Sequence, residues 1–369
     1  MNICLIGDSL SSITLAKTLV NNKTKVSMYY KNSKKAPNNN RTISISSDNL
    51  DFLEKRVIKI KKKLFWEINN IEIFNENNNY NKILNFQNSK KKLFSIIRYN
   101  DLYKILNKSL NRSSSFKKIK IIDKKFYTKI FLEKKFDLII NCDEKNEISK
   151  RYFHKKIMKN YESTAYATII NHAKTNNKKA IQIFTKYGPL AFLPISKVQT
   201  SIVFSIKNKS IQDYVKKSEA DLKKLILKYN NQYKIYHINS FENFSLKSKI
   251  LRNYYHKNIL AFGDMLHQIH PLAGQGYNMV LRDISVFLNL INEKENLGLP
   301  INSSICEDFE NKTKHLNFIF ATGNDFIYEF FNHDHFYIKP FSKKIFEYLN
   351  NNILFNKLAL RYSNKGLII

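Results

Sequence analysis

The stretch from Leu260 to Asp283 (Leu-Ala-Phe-Gly-Asp-Met-Leu-His-Gln-Ile-His-Pro-Leu-Ala-Gly-Gln-Gly-Tyr-Asn-Met-Val-Leu-Arg-Asp) constrains the fold more than any other part of the chain. Ile259 to Phe262 has the apolar run of a buried strand and ends at Gly263-Asp264. Gly274-Gln275-Gly276 then opens a helix, because Val280, Leu281, Ile284, Phe287, Leu288 and Ile291 fall on one face at helical spacing. Residues without a side chain at a helix start let backbone N–H groups approach a planar or anionic ligand closely. Asp264, just beyond a strand, can accept hydrogen bonds from ligand hydroxyls. The whole chain holds only eight glycines, so the pair at 274 and 276 marks a ligand site rather than a plain helix cap.

The amino terminus supports the same architecture. Ile3-Cys4-Leu5-Ile6 is a short apolar run ending at Gly7, Leu10, Ile13, Leu15, Ala16 and Leu19 follow at helical spacing, and Val26 to Tyr30 reads as a second strand. This is the βαβ opening of a dinucleotide-binding fold. Residues 31 to 40 read as a polar surface excursion, 101 to 110 as a helix, and Phe136 to Asn141 as another buried strand. Strands over 166–170, 180–184, 190–195 and 201–206 succeed one another without helices, with Gly188-Pro189 as a turn, which predicts an inserted antiparallel sheet. Residues 211 to 230 read as helical, and so does most of the chain beyond 278. The domains expected are a discontinuous nucleotide-binding domain (1–60, 95–155 and 255–300), a second domain (61–94 and 156–254) and a helical region (301–369).

The 369 residues suffice for such a two-domain core. The formal net charge of +32 excludes little by itself. Lys, Asn and Ile are inflated together, as in Lys31-Asn32-Ser33-Lys34-Lys35, which suits drift toward AT-rich codons. The next reading is attraction to an anionic membrane surface. Nucleic acid ranks last, since no aromatic-basic platform or recognisable binding motif accompanies the charge. Cys4, Cys142 and Cys306 are widely spaced and read as reduced thiols. With an apolar strand from the third residue and no apolar run of spanning length, the expectation is a cytoplasmic protein, at most peripheral at the inner face of a membrane. His267 and His270 have no evident third ligand, so no metal is expected.

The segment Gly263-Asp264, His270-Pro271, Ala273-Gly274-Gln275-Gly276, Asn278 and Arg282-Asp283 resembles the second FAD-binding motif of class A flavin monooxygenases, specifically the ubiquinone-biosynthesis aromatic-ring hydroxylases. Arg41-Thr42-Ile43-Ser44-Ile45-Ser46 resembles the family's arginine-containing segment, Arg98 its arginine before a helix, and Gly188 to Pro194 a strand of its middle domain. Trp66 falls where relatives often carry a tryptophan. The resemblance spans about residues 2 to 330 and implies a Rossmann-type FAD-binding domain, an inserted antiparallel β-sheet substrate domain and C-terminal helices. It gives Asp264 the flavin ribityl chain and lays Pro271, Gly274, Gln275 and Gly276 against the isoalloxazine ring, with Asn278 at the cofactor edge. Gly7, Ser9, Ser12, Arg41 and Arg98 complete the implied cofactor-binding set.

The resemblance further implies hydroxylation of a phenolic, prenylated ring by O2 through a flavin C4a-hydroperoxide, with NAD(P)H or another donor as reductant and a quinone-biosynthesis complex as partner. Three departures keep a second reading open, that of a catalytically impaired accessory protein of quinone assembly, and a third, a different flavin reaction. The family's Gly-x-Gly-x-x-Gly stands here as Gly7-Asp8-Ser9-Leu10-Ser11-Ser12. The acid expected at the end of the second strand is replaced by Tyr29-Tyr30-Lys31, with Asp8 as an acidic group in the vicinity. The family's Asp-Gly reads Asp143-Glu144, whose extra carboxylate is expected to repel pyrophosphate.

Overall fold

A computed structural model of the chain describes residues 1–31, 40–76, 82–87, 92–123, 125–132, 135–209 and 218–332. The first half carries β1 (Asn2–Ile6), α1 (Leu10–Asn21), β2 (Lys25–Tyr30), β3 (Thr42–Ser46), α2 (Ser47–Phe52), β4 (Trp66–Ile68), β5 (Asn70–Asn75), β6 (Lys82–Gln87), β7 (Phe94–Arg98), α3 (Tyr99–Leu110), β8 (Phe116–Lys120), α4 (Phe126–Leu132), β9 (Leu138–Asn141) and α5 (Glu147–Tyr152). The second half carries β10 (Lys156–His172), β11 (Lys179–Thr185), β12 (Gly188–Pro194), β13 (Gln199–Lys207), α6 (Glu219–Tyr229), β14 (Ile235–Ile238), β15 (Glu242–Leu251), β16 (Tyr255–His256), β17 (Ile259–Ala261), β18 (His267–Gln268), α7 (Gln275–Asn296) and α8 (Ser304–Asn332).

Three sheets organise these elements. The first has the order β16-β17-β9-β1-β2-β8 and is parallel apart from the β16–β17 hairpin. Ile3, Cys4, Leu5 and Ile6 are all buried, as strands covered on both faces must be. Because the chain passes from β1 outward to β2 and later returns to β9 on the other side, the strand order reverses between β1 and β9. Ligands of such sheets bind beyond the carboxyl ends of the strands at that switch point. The second sheet has nine strands, β18-β15-β10-β13-β12-β11-β5-β6 with β14 beside β10, and is antiparallel except where β11 meets β5. Helix α6 packs Leu222, Ile226 and Tyr229 onto this sheet among Ile202, Phe204 and Phe192. Strands β3, β7 and β4 form a small antiparallel third sheet. The mixed α/β class expected from the sequence is the class observed.

Several local expectations need correction or bounding. The turn before β12 is formed by Lys186 and Tyr187, while Gly188 and Pro189 already belong to the strand. Gly188 is there because its φ is +136° and a Cβ would stand 2.1 Å from the Ser205 carbonyl oxygen of β13. The strand expected from Phe136 begins at Leu138. Of the helix expected over 211–230, the described part is α6, capped by Ser218, whose side chain accepts from the Asp221 amide; 211–217 lie outside the described residues. So do residues 32–39 of the expected surface excursion and residues 333–369 of the helical region.

Helix α8 closes over the segment between β17 and α7. His267 Nε2 donates to Asp283 Oδ2 at 2.5 Å, and Asn317 of α8 donates to Asp283 Oδ1 at 3.1 Å. His270, 1% exposed, packs edge-on to Tyr161 of β10 (4.8 Å, 88°) and tilted against Tyr328 of α8 (4.2 Å, 34°). Asn324 donates to its carbonyl at 3.2 Å, and the Tyr161 hydroxyl donates to Asp325. Burial, reinforced by the Lys159 charge, pushes the His270 imidazole down to about 3, so the folded chain holds it neutral.

Two consequences are testable. Gly188→Ala combines a left-handed backbone with a backbone clash, and is expected to lower stability by about 2–4 kcal/mol, read as a lower urea midpoint at unchanged slope. His270 has a folded pKa below its unfolded one, so the stability it contributes is complete above about pH 6.5 and lost as pH falls toward about 3. His270→Phe is expected to flatten that acid limb, which for one proton has a slope of at most about 1.4 kcal/mol per pH unit; an unchanged limb would refute the assignment.

Candidate functional site

Three chain segments meet at the switch point: the β1–α1 loop, the end of β17, and the start of α7. Gly7 has φ +108°, and its N–H donates to the Tyr29 carbonyl at 2.8 Å. A Cβ there would make an ordinary 3.4 Å contact with the Cys142-Asp143 backbone, so it is the positive φ that calls for glycine. Ser9 caps α1: its hydroxyl accepts from the Ser12 amide at 3.3 Å and shares a hydrogen bond with the Ser12 hydroxyl at 2.9 Å. Across the crevice Gly263 (φ +64°) would place a Cβ 2.8 Å from Ser11 Cβ, and Ser11 donates to Asp264 Oδ1 at 2.9 Å. Tyr277 and Thr14 share a hydroxyl hydrogen bond at 2.8 Å, tying α7 to α1.

The loop that opens α7 is fastened to the small sheet. Gly274 is its N-cap in left-handed conformation (φ 65°), with a Cβ position 3.0 Å from Ser44 of β3. Asn278, 1% exposed, accepts from the Ser46 amide (2.9 Å) and from Asn49 (3.1 Å), and donates to the Ser44 carbonyl (3.0 Å). Its side chain therefore fixes the loop from behind, by contacts to the chain itself. Gly276 differs from its neighbours, since no heavy atom lies within 4 Å of where its Cβ would stand. Beside it, Gln275 Oε1 is buried without a hydrogen-bond partner among the described residues. Asp264 is exposed, and Pro271 half-buried. An open surface at Gly276, an orphaned amide oxygen, an exposed carboxylate and the positive end of a 22-residue helix fit a planar ring system that bears hydroxyls and gains negative charge.

Around Asp8 and the neighbouring β2 and β8 the side chains form a polar, aromatic group. Asp8 lies 3.7 Å from Lys118 of β8, and the Lys118 ammonium stands 4.8 Å over the Tyr30 ring. Burial raises the Asp8 carboxyl; Lys118 pulls it back and Asp143 pushes it further up. Tyr99 is buried enough to raise its hydroxyl, with Arg41 opposing and the Asp264 and Asp8 carboxylates adding to the rise. Arg41 reaches the crevice through that ring, 4.8 Å from its centroid. Arg98 instead turns to the large sheet, where its Nη2 donates to Gln199 of β13 at 2.8 Å. Glu144 is neutralised: Lys249 at 2.8 Å and Lys156 at 2.9 Å hold its carboxyl low against the effect of burial. The repulsion expected of it is thereby offset. Among the described residues no three His, Cys, Asp or Glu side chains gather for a metal.

Sequence reasoning missed Ser11, Thr14, Ser44, Tyr99 and Lys118. All are ordinary residues whose partners lie on other elements, such as Ser11 with Asp264, and no spacing signal marks them.

The family model described as squalene epoxidase matches residues 135–358. The chain is 22% identical over 179 residues to ubiquinone hydroxylase UbiL of Rhodospirillum rubrum, covering 47% of this chain and 41% of that protein. It is 27% identical over 156 residues to 3-demethoxyubiquinol 3-hydroxylase of Escherichia coli, covering 42% and 40%. The matches thus span less than half the length of these curated relatives. The fold is similar to that of p-nitrophenol 4-monooxygenase PnpA from Pseudomonas putida, with a TM-score of 0.76 over 100% of this chain and 98% of that one at 10% identity. The chain belongs to the class A FAD-dependent monooxygenases, the family that joins squalene epoxidase to the ring hydroxylases of ubiquinone biosynthesis.

Proposed function

We propose that the chain binds FAD along this crevice and hydroxylates a phenolic, prenylated ring in ubiquinone biosynthesis. The observation that carries the reading is the open face at Gly276 at the head of α7, flanked by Asp264, Pro271 and Gln275. Asp264 would hold ribityl hydroxyls with the oxygen that Ser11 leaves free, while Pro271, Gly274 and Gly276 would lie along the ring. Ser9 would turn its hydroxyl to the pyrophosphate where the family pattern has glycine, while Ser12, fully buried, is small enough to let α1 pack on the sheet. FAD held there, once reduced by NAD(P)H or another donor, would supply the two electrons with which O2 gives one oxygen atom to the ring and one to water.

The chain's own part is to place the ring and keep water away. Leu272, in the loop that carries the site, packs with Tyr161, Ala165, Phe184 and Leu246 of the large sheet and Tyr328 of α8. That contact brings the large sheet to the flavin-side loop, as a substrate pocket between them requires. The α7 N-terminus favours negative charge on the reduced ring. No helix among the described residues is long and apolar enough to cross a membrane. Phe318, Ile319, Phe326 and Ile327 are nonetheless exposed on α8, and with the net charge of +32 they suit an anionic lipid surface, where a prenylated substrate resides. Retention on anionic but not on zwitterionic vesicles would bear this out, and equal indifference to both would end it.

Purified protein is expected to show flavin absorbance bands after incubation with FAD, and NAD(P)H oxidation stimulated by a prenylated phenol. Gly276→Val adds a side chain into open space and helix propensity favours Val over Gly, so its melting temperature should be unchanged or raised while flavin uptake is lost. A variant that folds and still takes up FAD like the parent refutes the placement. Weak or absent flavin uptake by a folded protein that still binds partner enzymes or lipid would favour the accessory-protein reading.

A further inference from the structure

We propose that Asp8 takes the adenosine ribose of the dinucleotide, replacing the acid that β2 lacks at its carboxyl end. This rests on the FAD reading above. Dinucleotide folds hold that ribose with an acidic side chain about 20 residues past the glycine-rich turn, beyond the second strand, and here Tyr29 and Tyr30 end that strand. Other carboxylates around the crevice have duties of their own. Glu144 is bound by two lysines, Asp264 accepts from Ser11, and Asp143 Oδ1 accepts from the Lys145 amide at 2.9 Å.

Asp8 follows Gly7 directly, and the Gly7 amide is bonded to the Tyr29 carbonyl, so its backbone is fixed beside the end of β2. Lys118 links the three strands: its ammonium is 3.7 Å from Asp8 Oδ2 and 4.8 Å over the Tyr30 ring. The two side chains of that pair are 20% and 21% exposed, so the carboxylate is largely withdrawn from water yet still reachable. An ion pair this long contributes little to stability. What it does is hold the carboxylate beside the end of β2, where a vicinal diol would meet it. Tyr103, stacked on Tyr99 at 6.4 Å, has its hydroxyl pushed up to about 12 by burial and then by the Asp8 charge. The acceptor has moved from the tip of β2 to the neighbouring β1–α1 loop, and a lysine on β8 has been placed to hold it.

The test compares FAD with FMN, which carries the same ring and ribityl chain but no adenosine. Parent protein and Asp8→Asn are titrated with each flavin by fluorescence, with thermal melting as a check on folding; Asp8→Ser replaces any variant that does not melt cooperatively. Loss of a hydrogen bond to a charged acceptor predicts an FAD Kd raised about 10- to 100-fold with the FMN Kd unchanged. An unchanged FAD Kd, or equal weakening of FAD and FMN, overturns the assignment while leaving the proposed function standing. A parent protein that takes up neither flavin overturns both.

Discussion

Everything at the site depends on two close approaches between backbone and serine. Gly263 meets Ser11 at a distance no Cβ could keep, and Gly274 meets Ser44 so closely that a Cβ would push the serine aside. The first presses the end of β17 against α1, and the second presses the head of α7 against β3. Between these pins lies the loop that carries Asp264 and Pro271, with Gln275 just beyond it at the head of α7. Asn278 adds a third fastening, since its amide spans from Ser44 to Ser46 and Asn49. A buried amide with all these partners is costly to disturb. The loop is thus set by three different elements before any ligand arrives, which is the preorganisation a planar cofactor needs.

The same packing explains how a chain with so large a positive charge keeps a neutral interior at the site. Several of the acids there have a basic partner. Glu144 faces Lys156 and Lys249, Asp8 faces Lys118, and Asp283 faces His267. Lys249 is itself 4% exposed, so its pairing with Glu144 satisfies a charge that burial would otherwise penalise. His270 follows the other available route, neutrality, between Tyr161 and Tyr328.

The βαβ opening, the long antiparallel insertion and the helix after Gly276 were legible because each depends on local periodicity. The loop that opens α7 stands out in the sequence because glycine and proline are scarce here and therefore informative. Other features depend on contacts across the fold, and no local pattern carries those. Gly188 was read as a turn residue, whereas its role is to admit the Ser205 carbonyl of the neighbouring strand. Asn278 was read toward the cofactor, whereas its amide is bonded to β3 and Asn49. Glu144 looked repulsive because its lysines come from β10 and β15, the farther of them more than a hundred positions along the chain.

The handedness of the backbone has one more implication. Glycine codons are rich in G and C, so a genome drifting toward A and T removes glycine wherever an alternative will serve. Of the seven glycines among the described residues, five, at 7, 188, 263, 274 and 298, sit at positive φ. Under such drift these are the positions where stereochemistry resists substitution. Gly276 and Gly323 lie within helices instead, and Gly276, with room for a side chain, is retained where the fold makes no such demand.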